Sequence, residues 1–158
     1  MHAIIGIAVP ATDLDDAVGR AENFFNTNLL DQYGVDYGRV LDVNEIEDVP
    51  EPCNVLSPEG KAFADWCMME TKAHFYDNLR RVRAGLKILS DDDLWANIKR
   101  DEFMTRYNML MVGSYGGHTV RLYDDEGVID ARYYDSVLKQ WNEDDAPETW
   151  IVPMDIHF

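Results

Sequence analysis

The sequence predicts a single α+β domain, residues 1–158, in which helices pack against a mixed β-sheet of about four strands. Three observations predict this class: an apolar run at Ala3–Val9, a helical pattern from Ser57 to Leu89, and alternating apolar residues from Trp150 to Phe158. A chain of this length suits one domain with a sizeable core. The order β-α-β, two long helices, β-α-β has a ferredoxin-like character.

The first 44 residues have the pattern of a β-α-β unit. The run Ala3–Val9 is rich in isoleucine and ends at Pro10, which is typical of a strand buried on both faces. Thr12 to Asp15 resembles a capping box with aspartate in place of glutamate, and helical spacing follows to about Leu30. Alternation over residues 35–43 then predicts a half-buried strand.

The long helix has clear start signals and an apolar stripe. Ser57 is a typical N-cap residue, and Pro58 occupies the first helical position, where no N–H group is needed. Four- and three-residue steps place five apolar side chains on one stripe, which we expect to face the core. These side chains are Phe75, Leu79, Val82, Leu86 and Leu89.

A second helix is predicted from about Asp91, because Ser90 and the aspartates after it form a typical helix start. Its apolar stripe is poorer and consists of Leu94, Trp95, Ile98 and either Glu102 or Phe103. Residues 107–112 fit a buried helical turn or a strand. Helix is favoured, since Gly113 is a plausible C-terminal stop.

The last third predicts a strand at Thr119–Tyr123, a turn at 124–127 and a short helix capped by Asp130. The closing apolar strand must lie in a sheet, since a free tail would not need its alternation. Pro153 lacks a donor N–H group, so we expect it to mark an edge or a bulge.

Charge is the strongest global signal, because 30 acids face 14 bases and give a formal net charge of −16. Such a surface repels nucleic-acid phosphates and anionic membranes. No apolar run approaches the roughly 18 residues of a membrane span, and the start lacks the pattern of a signal peptide. We therefore expect a cytoplasmic protein, with Cys53 and Cys67 as reduced thiols.

Three interpretations of the acidic surface remain open: a solvated surface that includes adaptation to high salt, a mimic of nucleic acid, and specific binding of a basic protein. Helix starts explain the acids at 13–16 and 91–93. Two loop clusters are therefore the preferred partner-binding surfaces. Their members are Asp42, Glu45, Glu47, Asp48, Glu51, Glu143, Asp144 and Asp145.

One basic cluster offers an alternative function. Arg80, Arg83 and Lys87 lie near each other on the long helix, and His118 follows a double glycine. Together they could surround an anionic small molecule that the protein binds or hydrolyses. Salt bridges to neighbouring carboxylates are the simpler role for these bases.

No motif assigns a reaction, so we predict no catalytic residue, no metal and no cofactor. The chain has no GxSxG elbow, no phosphate-binding loop, no dinucleotide fingerprint and no CxxC pair. Asp155 and His157 share one side of the last strand, and we expect His2 on a neighbouring strand. Without a third ligand they do not make a metal site.

The opening strand-helix-strand and the closing segment Trp150–Phe158 resemble those of small acidic proteins of halophiles and of viruses of prokaryotes. This resemblance implies no catalytic residue, and it suggests inhibitors of host defence proteins. We predict a non-catalytic module that binds a basic, nucleic-acid-handling protein through its carboxylates and forms a possible homodimer. The alternatives are the anionic-ligand binder and a halophilic housekeeping domain.

Overall fold

A computed structural model describes residues 2–31, 35–42, 45–113, 120–143 and 148–157. It confirms the α+β class, with six strands in one mixed sheet where the sequence predicts about four. The strands are β1 His2–Pro10, β2 Tyr37–Val40, β3 Cys53–Asn54, β4 Leu122–Asp124, β5 Gly127–Val128 and β6 Thr149–His157. The helices are α1 Leu14–Phe24, with a π-helical continuation Phe25–Leu29, α2 Pro58–Gly85, α3 Asp91–Ala96, α4 Arg100–Gly113 and α5 Tyr134–Trp141.

The first and last strands form the centre of the sheet. β1 and β6 are antiparallel along their whole length, from the pair of His2 with His157 to the pair of Pro10 with Thr149. β4 adds to the other side of β1 in parallel, and β2 adds to the other side of β6. Because β6 lies between β1 and β2, the unit β1-α1-β2 is a split β-α-β motif, which is the source of the ferredoxin-like character.

The expectation for Pro153 was wrong, because β6 is an interior strand and not an edge. On its outer side β6 pairs with β2 through residues 154–157 and with β3 through residues 150 and 151. Pro153 falls in the gap between these two short partners. A residue without an N–H group is tolerated there, because no β2 or β3 residue pairs with it.

Each face of the sheet has its own apolar core. Alternate residues of β1 and β6, such as Ile5, Ile7 and Met154, pack under α1. The opposite face meets the first half of α2 through Phe63 and Cys67, with further apolar contacts from α5. Burial raises the pKa of the Cys67 thiol, and both cysteines are free.

The start of α2 is confirmed, but the expected core stripe was wrong. The Ser57 hydroxyl accepts a hydrogen bond from the Gly60 N–H, and Pro58 is the first residue of the helix. Of the predicted stripe only Val82 is buried, and Leu86 is exposed. The side chains that reach the sheet core come from the first half of the helix, where the apolar spacing is less regular.

The second predicted helix is two helices. Asn97 adopts a left-handed backbone, with φ of 52°, and ends α3 before α4 begins. Residues 107–112 are helical, as favoured, and α4 is described as far as Gly113. Most of the predicted stripe is not buried, since Trp95 and Ile98 are 88% and 85% exposed, although Glu102 at its end is buried.

Helix α4 turns polar residues inward and apolar residues outward. Glu102, Thr105 and Asn108 are its buried residues, whereas Phe103 and Leu110 are exposed. The Glu102 carboxylate accepts hydrogen bonds from the Ile98 and Lys99 N–H groups, and the Asn108 amide donates to the Met104 carbonyl oxygen. The Glu102 and Asn108 side chains therefore find hydrogen-bond partners on α4 or just before it, which offsets the free-energy cost of burying them.

Two predicted caps are corrected. The N-cap of α1 is Asp13, whose carboxylate accepts from the Asp16 N–H, while Asp16 accepts from the Thr12 N–H. Among the described residues no side chain caps α5, whose N-cap position is Tyr133, and the Asp130 carboxylate binds Arg132. Within the predicted strand at 119–123, Thr119 lies outside the described residues, and β4 begins at Leu122.

We use the name helical arm for residues 75–113, which comprise the second half of α2, α3 and α4. In this segment α2 buries Val82 and Gly85, and α4 packs chiefly on α2. A Cβ atom at Gly85 would lie 2.1 Å from the Thr105 hydroxyl oxygen, so the two helices touch at this point. The rest of the chain is called the body.

Candidate protein-binding surface

One end of the sheet gathers several loops of the body. β1 and β4 are parallel and both end there, and antiparallel β6 begins there, because Ala8 pairs with Asp124 and Pro10 with Thr149. β3 pairs with the start of β6, and the Asn54 amide donates to the Glu148 carboxylate at 2.7 Å. Residues 11–16, 42, 45–52, 124–127 and 143 therefore border the same end of the sheet.

Three open grooves lie around this end, and the first adjoins each of the other two. The first, of about 570 Å³, lies between α1 and the β4–β5 turn. It shares Asp125 and Pro10 with a groove of about 390 Å³ beside α5, and it shares Asp15 and Gly19 with a groove of about 380 Å³ that reaches residue 52. We call their carboxylates the acidic belt: Asp15, Asp16, Glu22, Asp42, Glu51, Asp124, Asp125, Glu126 and Glu143.

The belt is a concentrated negative surface with little internal compensation. Among the described residues that line the grooves, Arg20 is the one base, and its guanidinium binds Asp16 at 2.9 Å. This hydrogen bond, with a second one from the Thr12 N–H, lowers the pKa of Asp16. Burial raises the pKa of Asp124, although the Glu126 and Gly127 N–H groups donate to its carboxylate.

The two acidic loop clusters that the sequence favours as partner-binding surfaces contribute three described residues to this belt. Asp42 and Glu51 line the groove against α1, and Glu143 lines the groove beside α5. Both clusters therefore reach one continuous surface. Asp144 and Asp145 lie outside the described residues.

The other predicted acids of the 42–51 loop lie outside the three grooves. Glu45 binds the guanidinium of Arg39 and also accepts from the Asp42 N–H, so the pKa of Glu45 falls to about 2. Glu47 and Asp48 are exposed, and Asp48 lines a separate groove beside Trp66. Glu45 therefore offers less free negative charge to a partner than the belt residues do.

Sequence reasoning missed six members of the belt: Asp15, Asp16, Glu22, Asp124, Asp125 and Glu126. The acids at the start of α1 were assigned to capping, which is correct for Asp13 and Asp16 but leaves Asp15 exposed in the groove. The sequence predicts a turn at 124–127 but does not indicate that its acids lie beside those of α1. The signal that would have found it is its position directly after a strand parallel to β1.

The residues of the alternative anion site lie apart or outside the described residues. Arg80 and the neighbouring Arg81 both bind the Asp77 carboxylate on the helix surface. Arg83 and Lys87 are exposed on the helical arm. His118 lies outside the described residues.

Arg121 is a buried arginine that sequence reasoning did not single out. It precedes β4, and one guanidinium nitrogen lies 3.0 Å from His74 Nε2, while its Nη1 is buried and has no hydrogen-bond partner among the described residues. Burial lowers the pKa of Arg121, and burial together with the neighbouring guanidinium lowers the pKa of His74. No groove described above reaches this pair.

The histidines near the chain ends do lie on neighbouring strands, as the sequence suggested. His2 and His157 pair across β1 and β6, with His2 Nδ1 3.1 Å from Asp155 and His157 Nδ1 2.7 Å from Asp36. Within the described parts of the chain, no group of three or more His, Cys, Asp or Glu side chains is placed to hold a metal ion. No helix in those parts is long and apolar enough to cross a membrane.

The comparison with protein families gives a match along the whole chain. The model of a domain of unknown function, DUF7995, matches residues 1–158. The chain belongs to the DUF7995 family. No curated protein and no solved structure matches it at a significant level. Membership therefore supplies no activity, and the function of this DUF7995 protein has to be argued from its surfaces.

Proposed function

We propose that this protein is a non-catalytic binding module that presents the acidic belt to a basic, nucleic-acid-handling protein. The observation that carries the proposal is the gathering of nine carboxylates from four parts of the chain around three adjoining grooves, with one base already paired. Clefts lined by one sign of charge focus the field and attract a partner of opposite sign. A basic nucleic-acid-binding groove has that sign.

The shape of the belt supports a protein partner over a single small cation. Its carboxylates are spread along grooves that together border α1, the 40–52 segment, the β4–β5 turn and α5. A partner that neutralises them must present several bases over a comparable length, as proteins that hold a nucleic-acid backbone do. The belt would then occupy positions that phosphates normally take, and the protein would act as an inhibitor by mimicry.

The test is capture of a partner from host lysate with the purified protein as bait, at low and at moderate salt. We expect one basic protein, released as salt rises because exposed charges are screened within about 8 Å at physiological ionic strength. DNA or RNA that the captured protein binds should compete with the bait. If added nucleic acid does not reduce capture of the partner, mimicry is contradicted. If no specific partner is captured at either salt concentration, the whole proposal is contradicted.

A halophilic housekeeping domain is the competing explanation for the charge. Self-repulsion of a −16 surface would then be relieved by salt alone. That explanation predicts a large loss of stability in low salt and no saturable partner. Thermal unfolding across a salt series, run beside the capture experiment, separates the two explanations.

A further inference from the structure

The helical arm differs from the body in charge. Residues 75–113 hold seven of the 14 bases but only six of the 30 acids, which gives the arm a net charge of +1 and leaves −17 on the body. Arg83, Lys87, Arg100 and Arg106 form no ion pair with any described residue. The arm is therefore the part of the molecule that another copy can approach without strong repulsion.

The arm also carries much of the exposed apolar surface. Among the described residues 15 large apolar side chains are exposed, and eight of them lie in this quarter of the chain. They are Tyr76, Leu86, Ile88, Trp95, Ile98, Phe103, Met109 and Leu110. Isolated exposed apolar residues are normal, but a concentration of this kind marks an interaction surface.

Part of this surface is an ordered stripe on α4. Phe103, Tyr107 and Leu110 follow the spacing of one helical face, and it is the face opposite Glu102, Thr105 and Asn108. The rings of Phe103 and Tyr107 stack with centroids 6.4 Å apart. Since the inward side of α4 is polar, the apolar side chains of Phe103 and Leu110 lie on its outward side and are 54% and 61% exposed.

We propose that the arm is a dimerisation element and that its occupant is the arm of a second copy, packed antiparallel. The eight exposed side chains offer on the order of 800 Å² if each contributes roughly 100 Å², and about 800 Å² per partner is what a standard interface buries. A two-fold axis makes such a surface self-complementary. This inference does not depend on the acidic belt.

Charge favours the antiparallel arrangement. The turn of the arm, residues 86–101, where α2 ends and α4 begins, is nearly neutral with a net charge of −1, because its three bases almost balance its four acids, while the body has a net charge of −17. In an antiparallel pair the turn of each arm points towards the partner's body. A parallel pair would place the two negative bodies side by side and would be opposed by their repulsion.

Sedimentation equilibrium of the full chain tests the proposal across a range of micromolar concentrations. We expect a monomer–dimer equilibrium, and we expect Phe103→Glu with Leu110→Glu to raise its Kd tenfold or more, since two charges would be buried at the contact. The matched control is Ile46→Glu with Leu56→Glu, which changes two exposed apolar residues of the body and should leave Kd unchanged. Circular dichroism confirms that each variant is folded.

Three results would overturn the proposal. The first is a wild-type protein that stays monomeric at every concentration, and the second is a dimer whose Kd changes as much in the control as in the α4 variant. The third is a monomer that cosediments with vesicles of phosphatidylcholine and phosphatidylserine through Trp95, because the arm would then be a membrane-surface element.

Lys87→Glu with Arg100→Glu should weaken the dimer about tenfold; an unchanged Kd would contradict the antiparallel arrangement.

Discussion

The two halves of α2 lie in opposite surroundings. The first half presents Phe63, Ala64 and Cys67 to the sheet and belongs to an apolar core. The second half packs on α4 through Val82 and Gly85, against a helix whose inward face is polar. The regular apolar stripe lies in the second half, where it is mostly not buried. Apolar spacing therefore predicts the helix but does not tell which turns reach the core.

The difference comes from how each half is packed. The sheet accepts large side chains from the first half of α2, whereas α4 approaches so closely at Gly85 and Thr105 that little room remains for large side chains. Removal of apolar side chains from water is the main stabilising term in the body. Close backbone approach and local hydrogen bonds of the Glu102 type hold the arm.

Truncation of one phenylalanine from each region gives the largest expected contrast. Phe63→Ala empties a buried site and should cost about 3–5 kcal/mol of unfolding free energy. Phe103→Ala removes a side chain that is 54% exposed and should cost less than about 0.5 kcal/mol in the monomer. Urea denaturation at a concentration below dimerisation measures both. Similar losses for the two variants would show that the arm has an apolar core of its own.

A pair of glycine substitutions sharpens the same contrast at the helix contact. Gly85→Ala places a methyl group 2.1 Å from the Thr105 hydroxyl oxygen and should destabilise by about 1–3 kcal/mol. The control is Gly19→Ala in α1, where nothing lies within 4 Å, and it should stabilise by about 0.5–1 kcal/mol. Thermal unfolding ranks the two variants. The contact would be disproved by a stable Gly85→Ala protein.

Acidification should produce the smallest effect, at the junction of the arm and the body. The lowered pKa of His74 means that the unfolded chain binds a proton more readily than the folded protein does. The contribution of His74 to the free energy of unfolding is therefore greatest above the ordinary histidine pKa of about 6.5, and it declines as the pH falls below that value. His74→Gln should flatten the pH dependence of stability in this window. An unaltered slope would show that other groups dominate.

The sequence was sufficient to predict the fold class and the main helices and strands. Ser57 with Pro58 predicted the start of α2, and helix was correctly favoured for residues 107–112. Pro153 could not be placed from sequence, because its tolerance depends on a gap between two short partner strands. The break at Asn97 was missed, since asparagine accepts a left-handed backbone without a glycine or proline signal.

Only part of the candidate surface could be predicted, because the rest depends on tertiary contacts as well. Acidic loops can be read from sequence, and Asp42, Glu51 and Glu143 were among those chosen. Whether loops share a face depends on strand order, which brings the turn at 124–126 beside the start of α1. Ion pairs within a loop also matter, since the Arg39 guanidinium binds the Glu45 carboxylate across five intervening residues. Neither fact is contained in composition or spacing.

The most direct measurement compares two variants that lose the same charge at different places. Asp42→Asn, Glu51→Gln and Asp125→Asn remove three exposed carboxylates from the belt, and Asp91→Asn, Asp92→Asn and Asp101→Asn remove three from the arm. Titration calorimetry with the captured partner should show at least about a tenfold weaker Kd for the belt variant, or about 1.4 kcal/mol, and little change for the arm variant. Equal losses would contradict the assignment of binding to the belt.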